Sequence, residues 1–476
     1  MLFFTQLKEN PENEEILKLA KTEFRQTVGY VIDNYNEKTL RNYLDDIVLF
    51  DKKSFPFRKG CIPKEIISRS IANVAAQSIG KEMSDALYEQ TLNTNLLLTS
   101  NHMQIDSWPH MLHGNKLVEY IYKKANVTKP IIPAISTTLG KLKSESHAMG
   151  LNIWHSSAGR LRVGLFPHSM RSITINCARA FSKEELISAS QKLEHYKKNG
   201  TISDATNECA QYILNECCGT NEILNSRTYS EQALLCNRNI QKKVFCDDSF
   251  EILYLSMEEI ASKILIELFK SEDNLISKLF FEDNNIEKFY HQMNGAEKCW
   301  DINREKGTFI FWRLHDNKLK RLILIYDGGI PFLKDTDDET LIPFDKHSLT
   351  QCLENNELVP ALFTSLLVLS FLSPYTLLSG MFQRNYSKNI IKKLCAALSS
   401  ISGFDDAIEF IKSNDDIYIS GMLITACSDG EKHCLSGPVE CLEAGGINDD
   451  YFNECLNISV LQAQRNAIDM LKIFLK

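Results

Sequence analysis

Several features that would assign this chain to a familiar class are missing from its sequence. The most apolar stretch, residues 358–382, has a core of only about fifteen residues before Ser373-Pro374, whereas a membrane-spanning helix needs about 20. We therefore expect a buried core helix that is broken at Pro374, and no membrane span. Positive charge is not in excess either. The net charge of the 476 residues is −8, which argues against an extended nucleic-acid surface.

Common catalytic fingerprints are also missing. The sequence contains neither the glycine-rich loops that bind nucleotide phosphates nor the H-E-x-x-H motif of zinc peptidases. Its 14 cysteines are scattered rather than arranged in a short framework. The first residues, MLFFTQLKENPENEE, have neither the basic nor the apolar region of a signal peptide. We therefore expect reduced thiols and a cytoplasmic location.

Hydrophobic periodicity predicts a mixed α/β fold (α+β) with more helix than strand. Residues 10–35 and 62–90 carry apolar side chains at helical spacing, and the first of these stretches begins with Asn10-Pro11, a typical helix start. Short apolar runs in NLLLTS, KPIIPAIS and GRLRVGLF predict strands. The stretch 307–326 predicts a β-hairpin, because two β-rich arms flank the turn sequence HDNK.

The length of the chain is compatible with one large domain or with two or three ordinary ones. We predict two lobes that meet in the loop near residues 217–230. The N-terminal lobe would then comprise residues 1–225, with a helical start and the candidate site. The C-terminal lobe would comprise residues 226–476, with the hairpin and a helical end.

The stretch that stands out chemically is residues 96–115, LLLTSNHMQIDSWPHMLHGN. The chain has only 11 histidines, and three of them lie here with one aspartate: His102, Asp106, His110 and His113. An apolar strand precedes the cluster, and a helix follows it with Ser107 as its cap and Pro109 in its first turn. Strand-to-helix turns of α/β folds often hold ligand sites, because their loops are exposed while the scaffold is rigid.

The first hypothesis is catalysis by a general base. His102 and Asp106 form an H-x-x-x-D motif directly after the predicted strand. A histidine with a pKa near its free value of about 6.5 accepts a proton from a hydroxyl, amine or thiol at neutral pH. The aspartate would hold the imidazole or fix the loop. Pro109 separates this pair from His110 and His113, which we interpret as ligands or substrate contacts.

A family resemblance supports this hypothesis. The stretch LLLTSNHMQIDSW, followed by an amphipathic helix, resembles the strand–HHxxxDG–helix segment of the chloramphenicol acetyltransferase superfamily. That group includes the condensation domains of peptide synthetases and the plant HxxxD acyltransferases. The resemblance implies that His102 is the catalytic base and Asp106 the structural aspartate. It also implies transfer of an acyl or aminoacyl group to a small molecule, from a free or carrier-bound donor. Asn101 and Ser107 stand where the family has its first histidine and its glycine.

Two alternatives remain open at this point. In the first, a metal ion is bound by some or all of His102, Asp106, His110 and His113, since such ligands suit zinc, iron or manganese. The chain would then be a metal-dependent hydrolase, lyase or oxygenase. In the second, the histidines only bond to backbone, and the chain is a helical interaction protein without enzymatic activity. The sequence does not specify a cofactor.

A second group of residues is a candidate for binding the substrate. Arg160, Arg162 and His168 surround a predicted strand, and such side chains can hold a carboxylate or phosphate. Asn101, next to His102, is a further candidate for substrate contact. If Arg160 and Arg162 instead lie on a solvated face of the strand, they have no such role.

Overall fold

The computed structural model describes most of the chain. The described residues are 2–4, 11–54, 61–99, 101–105, 108–143, 149–246, 249–282, 284–379, 383–413, 419–420, 426–428, 433–466 and 468–475. The structure is 57% helical and 15% strand, which confirms a mixed α/β fold with more helix than strand.

Helices make up most of the described residues. The first half of the chain contains α1 (Pro11–Glu23), α2 (Tyr30–Tyr35), α3 (Leu40–Ser54), α4 (Lys64–Leu92), α5 (Pro109–Lys124), α6 (Lys183–Lys198), α7 (Asp204–Tyr212), α8 (Asn221–Leu224) and α9 (Tyr229–Val244). The second half contains α10 (Met257–Phe269), α11 (Leu275–Phe281), α12 (Asn285–Met293), α13 (Lys346–Glu354), α14 (Leu362–Leu366), α15 (Gln383–Ser399), α16 (Asp405–Ser413), α17 (Pro438–Glu443), α18 (Asp449–Asn457), α19 (Val460–Asn466) and α20 (Ile468–Phe474). Both predicted N-terminal helices are therefore confirmed.

The strands form four sheets in the described residues. They are β1 (Leu2–Phe4), β2 (Leu96–Thr99), β3 (Ile131–Ser136), β4 (Gly150–Ile153), β5 (Leu161–Gly164), β6 (Glu251–Ser256), β7 (Phe311–His315), β8 (Lys318–Asp327), β9 (Ile330–Asp335), β10 (Leu341–Pro343), β11 (Leu358–Pro360), β12 (Thr376–Ser379), β13 (Ile419–Ser420), β14 (Ala426–Ser428) and β15 (His433–Leu435). The predicted strands at NLLLTS, KPIIPAIS and GRLRVGLF correspond to β2, β3 and β5.

The central sheet is parallel and positions the candidate site. Its strand order is β13-β12-β2-β3-β6, and every neighbouring pair is parallel. Counted along the chain, this is the order 3-2-1-4-5 of doubly wound α/β sheets. The chain first builds outward from β2 through β3 to β6. It then returns to the other side of β2 and adds β12 and β13.

Both faces of this sheet are covered by helices, as a parallel sheet requires. One face presents Leu97, Leu255 and Leu377 to a core formed with α4, α10 and α15. The other face presents Leu98 and Tyr254 to a core formed with α5 and α9. Strands buried on both faces are apolar throughout, and this explains why β2 and β3 could be predicted from short apolar runs.

The predicted hairpin is confirmed as part of an antiparallel sheet, whose order is β10-β9-β8-β7-β11. The strands β7 and β8 are joined by Asp316 and Asn317, both with positive φ, as a tight hairpin turn requires. Gly328 and Gly329, also at positive φ, turn the chain from β8 into β9. Two consecutive residues in the left-handed region favour glycine, asparagine and aspartate, which is what the sequence provides at both turns.

The apolar stretch 358–382 differs in part from the predicted core helix. A buried helical segment is present as α14 and the π-helical turn Leu367–Phe371, and it ends before Pro374 as expected. However, β11 precedes the helix, and the residues after Pro374 form β12 in the centre of the parallel sheet. The prediction failed there because a fully buried strand and a buried helix share the same apolar composition. Residues 380–382 lie outside the described part of the chain.

The division into two lobes at residue 225 stays a prediction. The parallel sheet takes β2 and β3 from one side of that boundary and β6, β12 and β13 from the other. None of the helices in the described residues is long and apolar enough to cross a membrane.

Tyr375 connects β12 to α4 and provides a test of this arrangement. Its hydroxyl donates to the carbonyl of Thr91 at 2.9 Å and bonds to the hydroxyl of Ser68 at 2.7 Å, both in buried surroundings. We expect Tyr375→Phe to lower the free energy of unfolding in urea by about 1–3 kcal/mol, because it leaves buried polar groups without a partner. Tyr326→Phe, at an exposed position of β8, is the matched control and should change it by less than about 0.5 kcal/mol. Equal losses in the two variants would contradict the placement of Tyr375.

Candidate active site

The candidate site lies at the carboxyl ends of β2 and β12. After these two neighbouring strands the chain continues toward opposite sides of the sheet, so the pair forms the topological switch point of the fold. At such a point the loops that leave the two strands diverge and form a crevice. In α/β sheets this crevice is the usual position of ligand sites. Thr99 is the last residue of β2, and its hydroxyl donates to the side-chain oxygen of Gln383 on α15 at 3.1 Å. His102 follows Thr99 by three residues. The structure therefore places His102 where the sequence predicted it, shortly after the strand.

Asn101 anchors the loop that carries His102. It is only 2% exposed, and its amide nitrogen donates to the side-chain oxygen of Asn115 on α5 at 3.0 Å and to the hydroxyl of Tyr254 on β6 at 2.8 Å. The amide of Gln241 on α9 donates to the same hydroxyl at 2.7 Å. These bonds make Asn101 a residue that positions the loop, and its predicted contact with the substrate stays a prediction.

The rest of the loop is held by α9. The side-chain amide of Asn237 donates to the carbonyl of Gln104 at 2.6 Å, and the backbone N–H of Ile105 donates to the hydroxyl of Tyr229 at 3.2 Å. A polar loop buried at a strand end has to satisfy its backbone groups within the protein. These bonds satisfy the carbonyl of Gln104 and the N–H of Ile105, and together with the bonds of Asn101 they fix the loop on both sides of His102.

The three histidines of the cluster are neighbours in the structure. His102 is partly exposed, whereas His110 and His113 are 8% and 4% exposed. Burial lowers the pKa of His102 to about 4 and the pKa values of His110 and His113 to about 3. The pKa of His110 is lowered further by the proximity of His102 and of His113. All three imidazoles are therefore neutral at pH 7, and α5 brings its two histidines close to the loop histidine.

The two buried histidines of α5 have different surroundings. The Nε2 atom of His113 lies 3.3 Å from the hydroxyl oxygen of buried Ser436. His110 packs against Trp108 with ring centroids 5.7 Å apart. Its Nδ1 atom is buried and has no hydrogen-bond partner in the part of the chain that the structure describes. A buried polar atom of this kind calls for water or a ligand.

The metal hypothesis gains no ligand set here. Within the described ranges, no group of three or more His, Cys, Asp or Glu side chains is arranged to hold a metal ion. Asp106 and Ser107 lie outside the described residues, and the role of Asp106 stays a prediction. The predicted cap at Ser107 is wrong, because α5 begins at Pro109 and Trp108 is its N-cap residue.

Arg160 lies beside the histidine cluster. Its guanidinium carbon is 5.4 Å from the ring centroid of Trp108 and 5.5 Å from that of Trp154, and the two indoles pack edge to face at 5.1 Å. Because Trp108 also packs against His110, Arg160 is linked to the cluster through one aromatic ring. The side chain of Arg160 therefore packs against aromatic rings and does not lie on a solvated face of the strand.

The other two predicted anion contacts lie elsewhere. Arg162 is exposed on β5. His168 is exposed in a short 3-10 helix, where its Nε2 atom lies 2.7 Å from a guanidinium nitrogen of Arg171. The described contacts do not connect either residue to His102, and their role in substrate binding stays a prediction.

Glu440, on α17, is a buried carboxyl that the sequence reasoning missed. It accepts the backbone N–H groups of Trp154 at 2.6 Å, His155 at 3.0 Å and Gly437 at 3.0 Å. Burial raises its pKa to about 7, although the backbone N–H bonds act in the opposite direction. Glu440 thus fixes Trp154, and through it Arg160, to α17. The sequence contained one signal that could have indicated this residue. Glu440 follows Gly437 by three residues, and this spacing is typical of a glutamate that caps the start of a helix.

Comparisons with known proteins do not assign the chain to a family. A scan against protein-family models finds no match. A search of curated proteins finds no relative either.

The buried histidines make stability depend on pH, with a definite sign. An unfolded histidine titrates near 6.5 and folded His110 near 3, so below about pH 7 the unfolded state binds a proton that the folded state does not. Stability is therefore greatest above about pH 7 and falls as the pH decreases toward 3. We expect His110→Gln to reduce the loss in free energy of unfolding between pH 7 and pH 5 by about 2 kcal/mol in urea titrations.

The control for this experiment is His347→Gln, at an exposed position of α13. This variant should show the same loss of stability as the wild-type chain between the two pH values. If His110→Gln behaves like His347→Gln, then His110 is not buried as a neutral imidazole.

Proposed function

We propose that the chain is a cytoplasmic enzyme in which His102 acts as the general base in the transfer of an acyl or aminoacyl group to a small-molecule nucleophile. The observation that carries the proposal is the placement of His102, partly exposed and neutral, just beyond β2 at the switch point of a doubly wound sheet. The chemistry of the transferred group follows from the resemblance to the H-x-x-x-D acyltransferases.

Burial lowers the pKa of His102 to about 4, below the free value of about 6.5, so His102 is an effective base only if the transition state itself stabilises its protonated form. A neutral imidazole nitrogen can accept the proton of a hydroxyl, amine or thiol as that group attacks a carbonyl. Burial makes the resulting imidazolium unfavourable unless a negative charge forms nearby. The oxyanion of the tetrahedral intermediate supplies such a charge, so proton transfer and oxyanion formation support each other. His110 and His113, also neutral, do not add a competing positive charge.

The residues around His102 take supporting roles in this proposal. Asn101 positions the loop through its bonds to Asn115 and Tyr254. Arg160, held between two indoles, is the residue we propose for a carboxylate or phosphate of the substrate. The buried Nδ1 atom of His110, which has no partner among the described residues, is a polar group that a bound substrate would satisfy.

A metal-dependent enzyme remains the second candidate function. Its support is the proximity of His102, His110 and His113, which the pKa of His110 reflects. In that case Asp106 would complete a set of ligands, and the metal would activate water or a carbonyl group.

The test uses p-nitrophenyl acetate as acyl donor, with a panel of small amines, alcohols and thiols as acceptors. We expect the purified wild-type chain to accelerate release of p-nitrophenolate in the presence of its acceptor. His102→Ala should reduce that rate by about 10²–10⁴-fold, the usual contribution of a general base. His195→Ala, at an exposed position of α6, is the control and should keep the wild-type rate.

Metal analysis of the same samples separates the two candidate functions. A stoichiometric zinc, iron or manganese ion that is lost in the His110→Ala/His113→Ala double variant would contradict the acyl-transfer mechanism and favour the metal-dependent one. If His102→Ala is as active as the His195→Ala control, His102 is not the base.

A further inference from the structure

The antiparallel sheet has one face buried and one face open. Leu322, Leu324 and Leu333 point inward and are at most 5% exposed, within the core formed with α10 and α13. Residues of opposite parity form the outer face. Cross-strand pairs such as Ile325 with Phe332 fix which residues share it.

The outer face is almost entirely apolar. Its apolar side chains are Trp312, Leu314, Leu319, Ile323, Ile325, Phe332, Leu341, Pro343 and Val359. Most of them are half-buried by lateral neighbours, and Leu341 is 43% exposed. None belongs to the hydrophobic cores of the described chain. Antiparallel sheets with one solvated face normally alternate apolar and polar residues, so an apolar outer face indicates that another surface covers it.

Three charged side chains also lie on the outer face, namely Arg321, Asp327 and Lys334. The ammonium group of Lys334 lies 3.0 Å from the carboxylate of Glu339 at the rim, and Nε of Arg321 donates to the carbonyl of Gly307 at 2.9 Å. Asp327 is exposed at the end of β8. Among the described residues these charges are of both signs, so the face has no excess of positive charge that would attract an acidic protein or an anionic membrane.

The size and shape of the outer face suit a second copy of the chain. Five strands at ~4.8 Å spacing and roughly five residues each at ~3.4 Å give a flat projection of about 400–450 Å². Side chains make the accessible area larger than this projection, so the face supplies more than half of the roughly 800 Å² per partner of a standard interface. Two identical sheets have the same twist, and they pack in an aligned manner about 10 Å apart.

A groove borders the outer face at the turn between β8 and β9. It has a volume of about 510 Å³ and is lined by aromatic residues that include Phe281 and Tyr326. Ile330, which is 59% exposed, and Pro343 line the groove as well and adjoin the outer face. Tyr326 has the parity of the inward residues Leu322 and Leu324, so only Ile330 and Pro343 extend the apolar outer face at this edge. Charged side chains also line the groove, namely Glu272, Glu282, Asp345 and Lys346.

We propose that the chain forms a homodimer in which the outer faces of two antiparallel sheets pack against each other. The interface would be isologous, with the same residues on both copies, and more apolar than the rest of the surface, as is typical of homodimers.

The test is the mass of the full chain by sedimentation velocity, from submicromolar to tens of micromolar concentration. We expect a species of twice the 54.3 kDa chain mass for the wild type. Ile323→Lys, on the outer face, should weaken dimerisation at least about tenfold, because it places an unpaired charge in an apolar interface. Ile187→Lys, at a 48% exposed position of α6, is the matched control and should dimerise like the wild type. Circular dichroism checks that both variants are folded.

Iodide quenching of tryptophan fluorescence gives a second measurement on the same samples. Trp312 is half-buried on the outer face, whereas the other three tryptophans are at most 7% exposed. Quenching should therefore decrease as the wild-type chain dimerises and should stay high in Ile323→Lys. A wild-type chain that is monomeric at all concentrations overturns the proposal. Equal dimerisation of the Ile323→Lys and Ile187→Lys variants would also overturn the proposal, because it would show that the outer face is not the interface.

Discussion

The candidate site depends on one constraint, namely that a polar loop is buried at the end of a central parallel strand. Its polar groups have lost their contact with water and must be satisfied by the protein. Asn101 meets this requirement by donating both amide protons, to Asn115 on α5 and to Tyr254 on β6. Ala134 stands between Leu98 and Tyr254 in the register of the sheet. The loop, the sheet and the helix are thereby fixed relative to one another, and His102 with them.

The same burial determines the chemistry that is available. Because burial lowers the pKa values of all three histidines, their imidazoles are neutral at pH 7, and in the proposed function the partly exposed His102 takes the proton. The cost of this arrangement is a group of buried ionisable residues that destabilises the folded chain in acid. Glu440 extends the arrangement, since it holds Trp154 in place and so supports the aromatic pocket of Arg160.

The sequence allowed prediction of those elements whose signals are local. The strand before His102, the helix after it and the hairpin with its Asp316-Asn317 turn all follow from periodicity and turn chemistry. The partners of the site could not be predicted, because Tyr254 and Glu440 contact residues 153 and 286 positions away. The strand after Pro374 was missed because its apolar composition also fits a buried helix. The outer face of the antiparallel sheet required the register of its strands before its apolar character became visible.

The most direct test of this account is the protonation of His102 in the intact chain. Imidazole ¹⁵N chemical shifts of ¹⁵N-histidine-labelled protein report it, with the His102 signals assigned by their loss in His102→Gln. The account predicts a neutral imidazole at pH 7 that titrates with a midpoint near 4. A His102 that is already protonated at pH 7 could not act as the general base and would contradict the account.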